Sequence, residues 1–221
     1  KGTPDDPKMI IEEAIKAQNK LLIGFKGYDG VDKKKYEEST FPKHFAISLT
    51  GEPVLYPLLP KMLDYVRSKG STSYVVCSGQ FPGQMSKITP TQLYLSVDAP
   101  NEELFNKIDR TVMEDGWGNL LKSLDVLRDA RDRTRTTIRV TLIKGQNMVE
   151  AKCWAELIKR GNPLFLEIKG YVFVGSSRKR LKQENMPDHE DVRTFAQEIG
   201  EHCGYKIIDE QKSSRVVLMM K

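Results

Sequence analysis

Three pairs of polar side chains carry the first chemical signal in the sequence: Ser96 with Asp98, Arg139 with Thr141, and Glu167 with Lys169. The members of each pair lie two residues apart in runs rich in β-formers, and period two turns both to one side of a strand. Ser78, Lys144 and the tripeptide Gly51-Glu52-Pro53 stand at or just beyond the ends of similar runs. Several charges aimed to one side of a sheet are costly unless they are paired or used. If used, Glu52 accepts hydrogen bonds from an ammonium, and Gly51 lets the backbone approach a ligand closely. A desolvated lysine amine is a nucleophile able to form an imine with a carbonyl, and Lys144 and Lys169 are both physically able to do so. If paired, Glu167, Lys169 and Arg139 make a structural ion-pair network.

The elements that must position these groups follow a regular rhythm. Compact apolar runs predict strands over 44–50, 73–78, 92–98, 136–143 and 164–169, with helical patterns at 58–69, 102–108, 117–131 and 148–160. Alternation of near-continuous apolar strands with helices predicts a parallel sheet and an α/β domain. The polar pairs fall at the C-terminal ends of those strands, where βα-barrels build their active sites. Before them, Asp5 or Asp6 caps a helix opening at Pro7, with Met9, Ile10, Ala14, Ala17 and Leu21 at helical spacing. Residues 24–38 read as a loop followed by a short helix. A helix over 189–203 and a hairpin of 205–210 with 214–220 close the chain. The division expected is one domain over 1–221, with 1–43 preceding the barrel strands, 44–170 the core and 171–221 a C-terminal extension.

The 221 residues carry 35 basic and 30 acidic side chains, a formal +5 that permits a polyanionic partner without demanding one. Arg178, Lys179, Arg180 and Lys182 form the densest basic segment, with Lys33 to Lys35, Arg128, Arg131 and Arg133 as further candidates for an RNA surface. Tyr171, Phe173 and Trp117 are either stacking partners for bases or core. No apolar run approaches the length of a membrane span. With no signal peptide in evidence, a cytoplasmic location is expected. Cys77, Cys153 and Cys203 have no metal-ligand spacing and read as three buried thiols. His44, His189 and His202 read as surface or capping residues. A monomer is the expectation by default.

The segment Ser48-Leu49-Thr50-Gly51-Glu52-Pro53-Val54-Leu55-Tyr56-Pro57 resembles the glycine–glutamate motif of radical S-adenosylmethionine enzymes, in the form found in the 4-demethylwyosine synthase family. The runs Thr91–Ala99, Lys107–Arg110, Arg135–Gly145, Phe165–Tyr171, Val174–Leu181, Asn185–Glu190 and Ser214–Met220 resemble its later segments, nearly from end to end. The resemblance implies a partial TIM-type (β/α)6 barrel with its first strand and cluster loop outside these residues, plus a C-terminal helix and hairpin. It also implies a lyase that reduces S-adenosylmethionine on a [4Fe–4S] cluster to a 5′-deoxyadenosyl radical. A second [4Fe–4S] cluster and a lysine handle pyruvate, two of whose carbons join N1-methylguanosine at position 37 of tRNA-Phe. A flavodoxin- or ferredoxin-like electron donor is implied as well.

By position, Gly51, Glu52 and Pro53 would hold the methionyl amino group, while Ser96 and Asp98 would lie against the ribose and methionyl parts. Ser78 stands where the family usually has Asn, and reaches less far. Arg139, Lys144, Glu167 and Lys169 would face the cofactor, pyruvate or the methylguanine, with Arg178, Lys179, Arg180 and Lys182 on the tRNA anticodon loop. The family's CxxxCxxC, its further cluster cysteines and its pyruvate lysine match no position here. They are expected upstream, so that this chain alone would be inactive, and no metal ligand is expected within it. A small-molecule radical enzyme of the same superfamily and a cluster-free RNA-binding barrel are the other readings.

Overall fold

The computed structural model describes residues 2–48 and 51–221. Helix α1 (Pro7–Leu22) starts where Asp6 accepts a hydrogen bond from the Met9 amide at 3.0 Å, with Pro7 in the first turn. Its buried face differs from the expected stripe. Ile11 and Ile15 pack inward, whereas Met9 and Leu21 are exposed, because α1 docks on α3 (Leu59–Ser68) along the Ile11 side. Between them come α2 (Lys33–Ser39), capped by Asp32, and strand β1 (His44–Ile47). Leu49 and Thr50, the expected end of that first strand, lie outside the described residues.

After α3 the chain runs β2 (Thr72–Cys77), α4 (Pro82–Met85), β3 (Gln92–Ser96), α5 (Glu102–Ile108), α6 (Gly116–Asp129), β4 (Arg135–Leu142), α7 (Ala151–Gly161) and β5 (Phe165–Gly170). The short α4 has no counterpart in the sequence reading, since Pro and Gly dominate its four residues. Helix α8 (His189–Cys203) has the predicted bounds, fixed by a capping box between Asp188 and Asp191 and by Gly204 at φ +79 after its end. Strands β6 (Lys206–Gln211) and β7 (Val216–Met220) complete the chain.

All seven strands form one sheet in the order β1-β2-β3-β4-β5-β7-β6. Strands β1 to β5 are parallel and adjacent in chain order. Because consecutive strands are neighbours throughout β1 to β5, the sheet is wound in one direction, unlike a doubly wound sheet whose strand order reverses. The hairpin of the expected C-terminal extension joins the sheet: β7 pairs antiparallel with β5 and with β6, so these residues supply two of its strands.

The helix-covered face carries the core. Leu93, Leu95, Ile138, Val140, Leu142, Leu166, Ile168 and Val217 are all fully buried there, and Trp154 of α7 closes over them. Each such side chain is worth roughly 1.5–3 kcal/mol of burial, which fixes the register of every strand. The opposite face is then left with Tyr94, Ser96, Arg139, Thr141, Glu167 and Lys169, all only partly buried. Among the described residues no helix is long and apolar enough to cross a membrane.

Candidate active site at the strand C-termini

Register assembles the polar pairs predicted from sequence. Ser96 lies opposite Arg139, and Arg139 opposite Glu167, forming one row across β3, β4 and β5. One step toward the C-termini, Thr141 lies opposite Lys169. Asp98, just past β3, joins this second row because its Oδ1 accepts the Thr141 amide at 3.1 Å.

Within the first row, Arg139 Nε donates to Glu167 Oε1 at 2.6 Å, and the guanidinium lies 4.5 Å from the centroid of the Tyr94 ring. Their side chains are 26% and 18% exposed, so water screens this pair only partly. Lys169 does not enter that network, contrary to its paired reading: among the described residues its amine makes neither an ion pair nor a hydrogen bond. Burial pushes the Asp98 carboxyl above the ordinary range, opposed by hydrogen bonding from Thr141 and by the charges of Lys169 and Arg139.

The second group lies beyond β1 and β2. Glu52 Oε2 accepts two hydrogen bonds from Ser78, from its amide at 2.9 Å and its hydroxyl at 2.5 Å. The other oxygen, Oε1, is buried and has no hydrogen-bond partner among the described residues. Gly51 adopts φ +78, a left-handed conformation that favours glycine, ahead of the 3-10 turn Pro53–Leu55. Beneath them, burial and then the charge of Glu52 push the Cys77 thiol far up, holding it protonated and inert. Because Cys77 lies opposite Leu95, Ser78 leaves β2 on the same side and level as Ser96 leaves β3.

Sequence reasoning missed the residue that locks these strand ends together. Asn147 is fully buried and uses its whole amide: Oδ1 accepts the Ile143 amide at 2.6 Å, and Nδ2 donates to the Asp98 and Thr141 carbonyls, both at 2.8 Å. Its own carbonyl receives Trp154 Nε1 at 3.1 Å. A lone Asn in a turn offers no signal in one sequence, because its partners are brought in by tertiary structure.

Other expected site residues are placed differently. Lys144 Nζ lies 2.5 Å from Asp191 Oδ2 in the cap of α8, so its amine is engaged by that helix. Arg178, Lys179, Arg180 and Lys182 are exposed on the segment after β5. Arg178 folds back locally, donating to the Phe173 carbonyl at 3.1 Å and covering its ring at 5.3 Å. Tyr171 is buried, its hydroxyl 2.7 Å from that of Ser177, and is therefore core rather than a stacking partner. Trp117 packs on Phe105 with ring centroids 5.6 Å apart. Arg131 and Arg133 precede β4, at the opposite end of the sheet from 178–182, so the two basic groups do not make one surface. Cys77 and Cys203 are buried as expected, but Cys153 is exposed on the outer side of α7. Among the described residues no cluster of three or more His, Cys, Asp or Glu is arranged to hold a metal ion.

A singly wound, mostly parallel α/β sheet, helices on one face and a row of charged and hydroxyl groups at the strand C-termini on the other, defines the class: an α/β domain of seven strands with its candidate site at the strand ends. The chain is 46% identical over 223 residues to the S-adenosyl-L-methionine-dependent tRNA 4-demethylwyosine synthase of Pyrococcus abyssi, covering 98% of this chain and 65% of that protein. The synthase of the same name from Methanocaldococcus jannaschii is 38% identical over 216 residues, covering 97% of this chain and 68% of that protein. A solved TYW1 structure with a lysine–pyruvate adduct bound matches with a TM-score of 0.89 at 35% identity, covering 98% of this chain and 70% of that one. Escherichia coli coproporphyrinogen III oxidase, a radical SAM enzyme, shares the fold alone, with a TM-score of 0.53 at 14% identity over 85% of this chain and 46% of that one. The family described as Wyosine base formation matches residues 160–221. The chain belongs to the tRNA 4-demethylwyosine synthase family, and it spans 65% of the length of the Pyrococcus abyssi relative.

Proposed function

We propose that this chain is the substrate- and cofactor-binding part of a lyase that forms 4-demethylwyosine in tRNA-Phe, joining two carbons of pyruvate to N1-methylguanosine at position 37. The observation that carries the reading is Glu52: one carboxylate oxygen anchored by Ser78, the other buried with no partner among the described residues, near a strand end of a chain whose relatives carry that enzyme's name. A buried acceptor held in this way suits an ammonium group, and the methionyl amine of S-adenosylmethionine is one. When bound, S-adenosylmethionine supplies the hydrogen-atom abstraction that begins the reaction.

The chain's own residues bind and orient. Glu52, with Gly51 and Pro53, takes the amine, while Ser78, Ser96 and Asp98 offer hydroxyl and carboxylate partners along the adjacent strand ends. Lys169, which has no ion-pair partner among the described residues and lies between Asp98 and the Arg139–Glu167 pair, presents a positive charge to a carboxylate such as that of pyruvate. Arg139 and Glu167 shape the floor beneath the methylguanine. Lys144 reaches a role there only by releasing Asp191. Arg178, Lys179, Arg180 and Lys182, on the same end of the sheet, face the anticodon loop, whose unpaired bases are extruded at little cost.

The cysteines of this chain do not fit a [4Fe–4S] cluster, since they lie apart and two of them are buried. The two clusters are assigned to the rest of the protein, with a flavodoxin- or ferredoxin-like donor reducing them. The five parallel strands are read as five of the six of a partial barrel, in a monomeric cytoplasmic protein.

The test is the full-length protein, anaerobically reconstituted, with tRNA carrying N1-methylguanosine and 13C-labelled pyruvate. Nucleoside mass spectrometry is expected to show a product gaining two labelled carbons. Glu52→Gln is expected to weaken S-adenosylmethionine binding by roughly 10- to 100-fold, the worth of a hydrogen bond to a charged group. Cofactor cleavage with no label reaching the nucleoside would reject pyruvate and tRNA as the substrates.

A further inference from the structure

A cleft of about 390 Å3 opens at the N-terminal ends of β3, β4 and β5, the pole opposite the site described above. Arg67, Arg131, Arg133 and Arg135 line it, with Asp132 as the one acidic side chain on its wall. Arg67 is immobilised, its guanidinium donating to Asp64 at 2.8 Å and to the Thr89 carbonyl at 2.7 Å. Among the described residues, Arg131, Arg133 and Arg135 make no salt bridge. Other arginines of the same region do: Arg128 is held by Asp125 and Asp129, and Arg160 by Asp125.

The backbone that carries the cleft is fixed. The Arg133 amide donates to the Ala130 carbonyl at 2.9 Å, the Arg135 amide to Thr91 at 3.3 Å, and Thr134 Oγ1 to Pro90 at 2.6 Å. Folding thus brings three guanidinium groups, none in an ion pair among the described residues, to one concavity with the single carboxylate of Asp132, a net positive charge that favours an anion. Guanidinium forks match phosphate oxygens bidentately, and a preformed turn lowers the ordering cost of binding.

We propose that this cleft is a second anion site that binds phosphate groups through Arg131, Arg133 and Arg135. The phosphates come either from the backbone of the tRNA or from a free phosphate-bearing small molecule. The tRNA source rests on the function proposed above, whereas the site itself does not. For the eight residues of β4, at about 3.3 Å each, the cleft lies roughly 26 Å from the strand C-termini, so one RNA stem can touch both poles.

The experiment compares the full-length protein with the double variant Arg133→Ala/Arg135→Ala and with Arg133→Lys/Arg135→Lys. Both positions are exposed, so each variant is expected to keep the wild-type thermal midpoint. Binding of a tRNA transcript is titrated across salt concentrations, and binding of inorganic pyrophosphate by calorimetry. If RNA is the source, the Ala variant loses about 0.7–0.9 of salt slope per arginine removed, and the Lys variant regains it. If a small molecule is the source, the tRNA curves stay unchanged and the Ala variant loses at least tenfold in pyrophosphate affinity. Wild-type protein that binds pyrophosphate through these arginines but no tRNA would leave the site standing and sink the tRNA reading. Unchanged tRNA slope and unchanged pyrophosphate affinity in the Ala variant would overturn the site.

Discussion

Arg139 Nε donates to Glu167 Oε1 at 2.6 Å across the β4–β5 register, while the face of Tyr94 lies 4.5 Å from the same guanidinium. The pair absorbs the only acidic side chain on β5 and leaves Lys169, two residues on, as the available cation. Glu167→Gln is expected to destabilise the protein by about 1 kcal/mol, well below the cost of breaking a fully buried pair, since water still reaches Arg139 and Glu167 in part. The double variant Arg139→Met/Glu167→Leu is expected to recover much of that loss. Chemical denaturation of all variants decides it, and a cycle showing additive losses would deny the coupling.

Asn147 is the hinge pin of the strand ends, spending its amide on Ile143, Asp98 and Thr141. Asn147→Ala orphans three buried backbone groups and is expected to cost about 3 kcal/mol. It is also expected to weaken S-adenosylmethionine binding more than the stability loss explains, because Asp98 loses its backbone anchor. Binding measured well below the variant's melting temperature separates the two effects; unimpaired binding there would make Asn147 purely structural.

Asp98 gives a pH signature of definite sign. Its folded-state pKa is raised, by burial first, so its favourable contribution is full below the unfolded value near 3.9 and is lost as pH rises through the folded value. At neutral pH the ionised carboxylate therefore costs stability. Asp98→Asn is expected to raise the melting temperature at pH 7 by about 2–4 °C for each 1 kcal/mol relieved, and to gain little at pH 3. A gain of equal size at both pH values would assign the effect to packing instead of charge.

Asp191 has the opposite sign. Its hydrogen bond to Lys144 and its place in the α8 cap hold its carboxyl below the ordinary range, with Asp188 also donating through its backbone. The stability this confers is present above about pH 3.9 and is lost as pH falls through the lower folded value. Lys144→Met is expected to flatten the acid limb of a melting-temperature profile between about pH 4 and pH 2. An unaltered acid limb would show that Lys144 is not the partner that matters in solution.

Cys153 is exposed, whereas Cys77 and Cys203 are buried. In the native state a maleimide is expected to label Cys153 and to spare the other two, as read by peptide mass spectrometry. Labelling of Cys77 under native conditions would mean that the Glu52 end of the sheet opens.

Local chemistry alone determined much of this protein. Compact runs rich in β-formers named all seven strands to within a few residues, and Asp6, Asp188 and Gly204 set helix ends through bonds to their own neighbours. Period two also put Arg139, Thr141, Glu167 and Lys169 on one face, because burial of Ile138, Val140, Leu142, Leu166 and Ile168 leaves no other side for them. What local chemistry left open was decided by contacts between residues far apart in the chain. Pairing of β7 with β5 made the hairpin part of the sheet. The grip of Asp191 on Lys144, across 47 residues, took one candidate lysine out of the site and left Lys169 in it. Packing on α3 turned α1 onto Ile11. Asn147 gained its role only when β3 and β4 brought two carbonyls within reach of one amide. The arginines of 131–135 and of 178–180 look alike as sequence, yet parallel strands carry them to opposite poles, since a strand separates its two ends by its whole length.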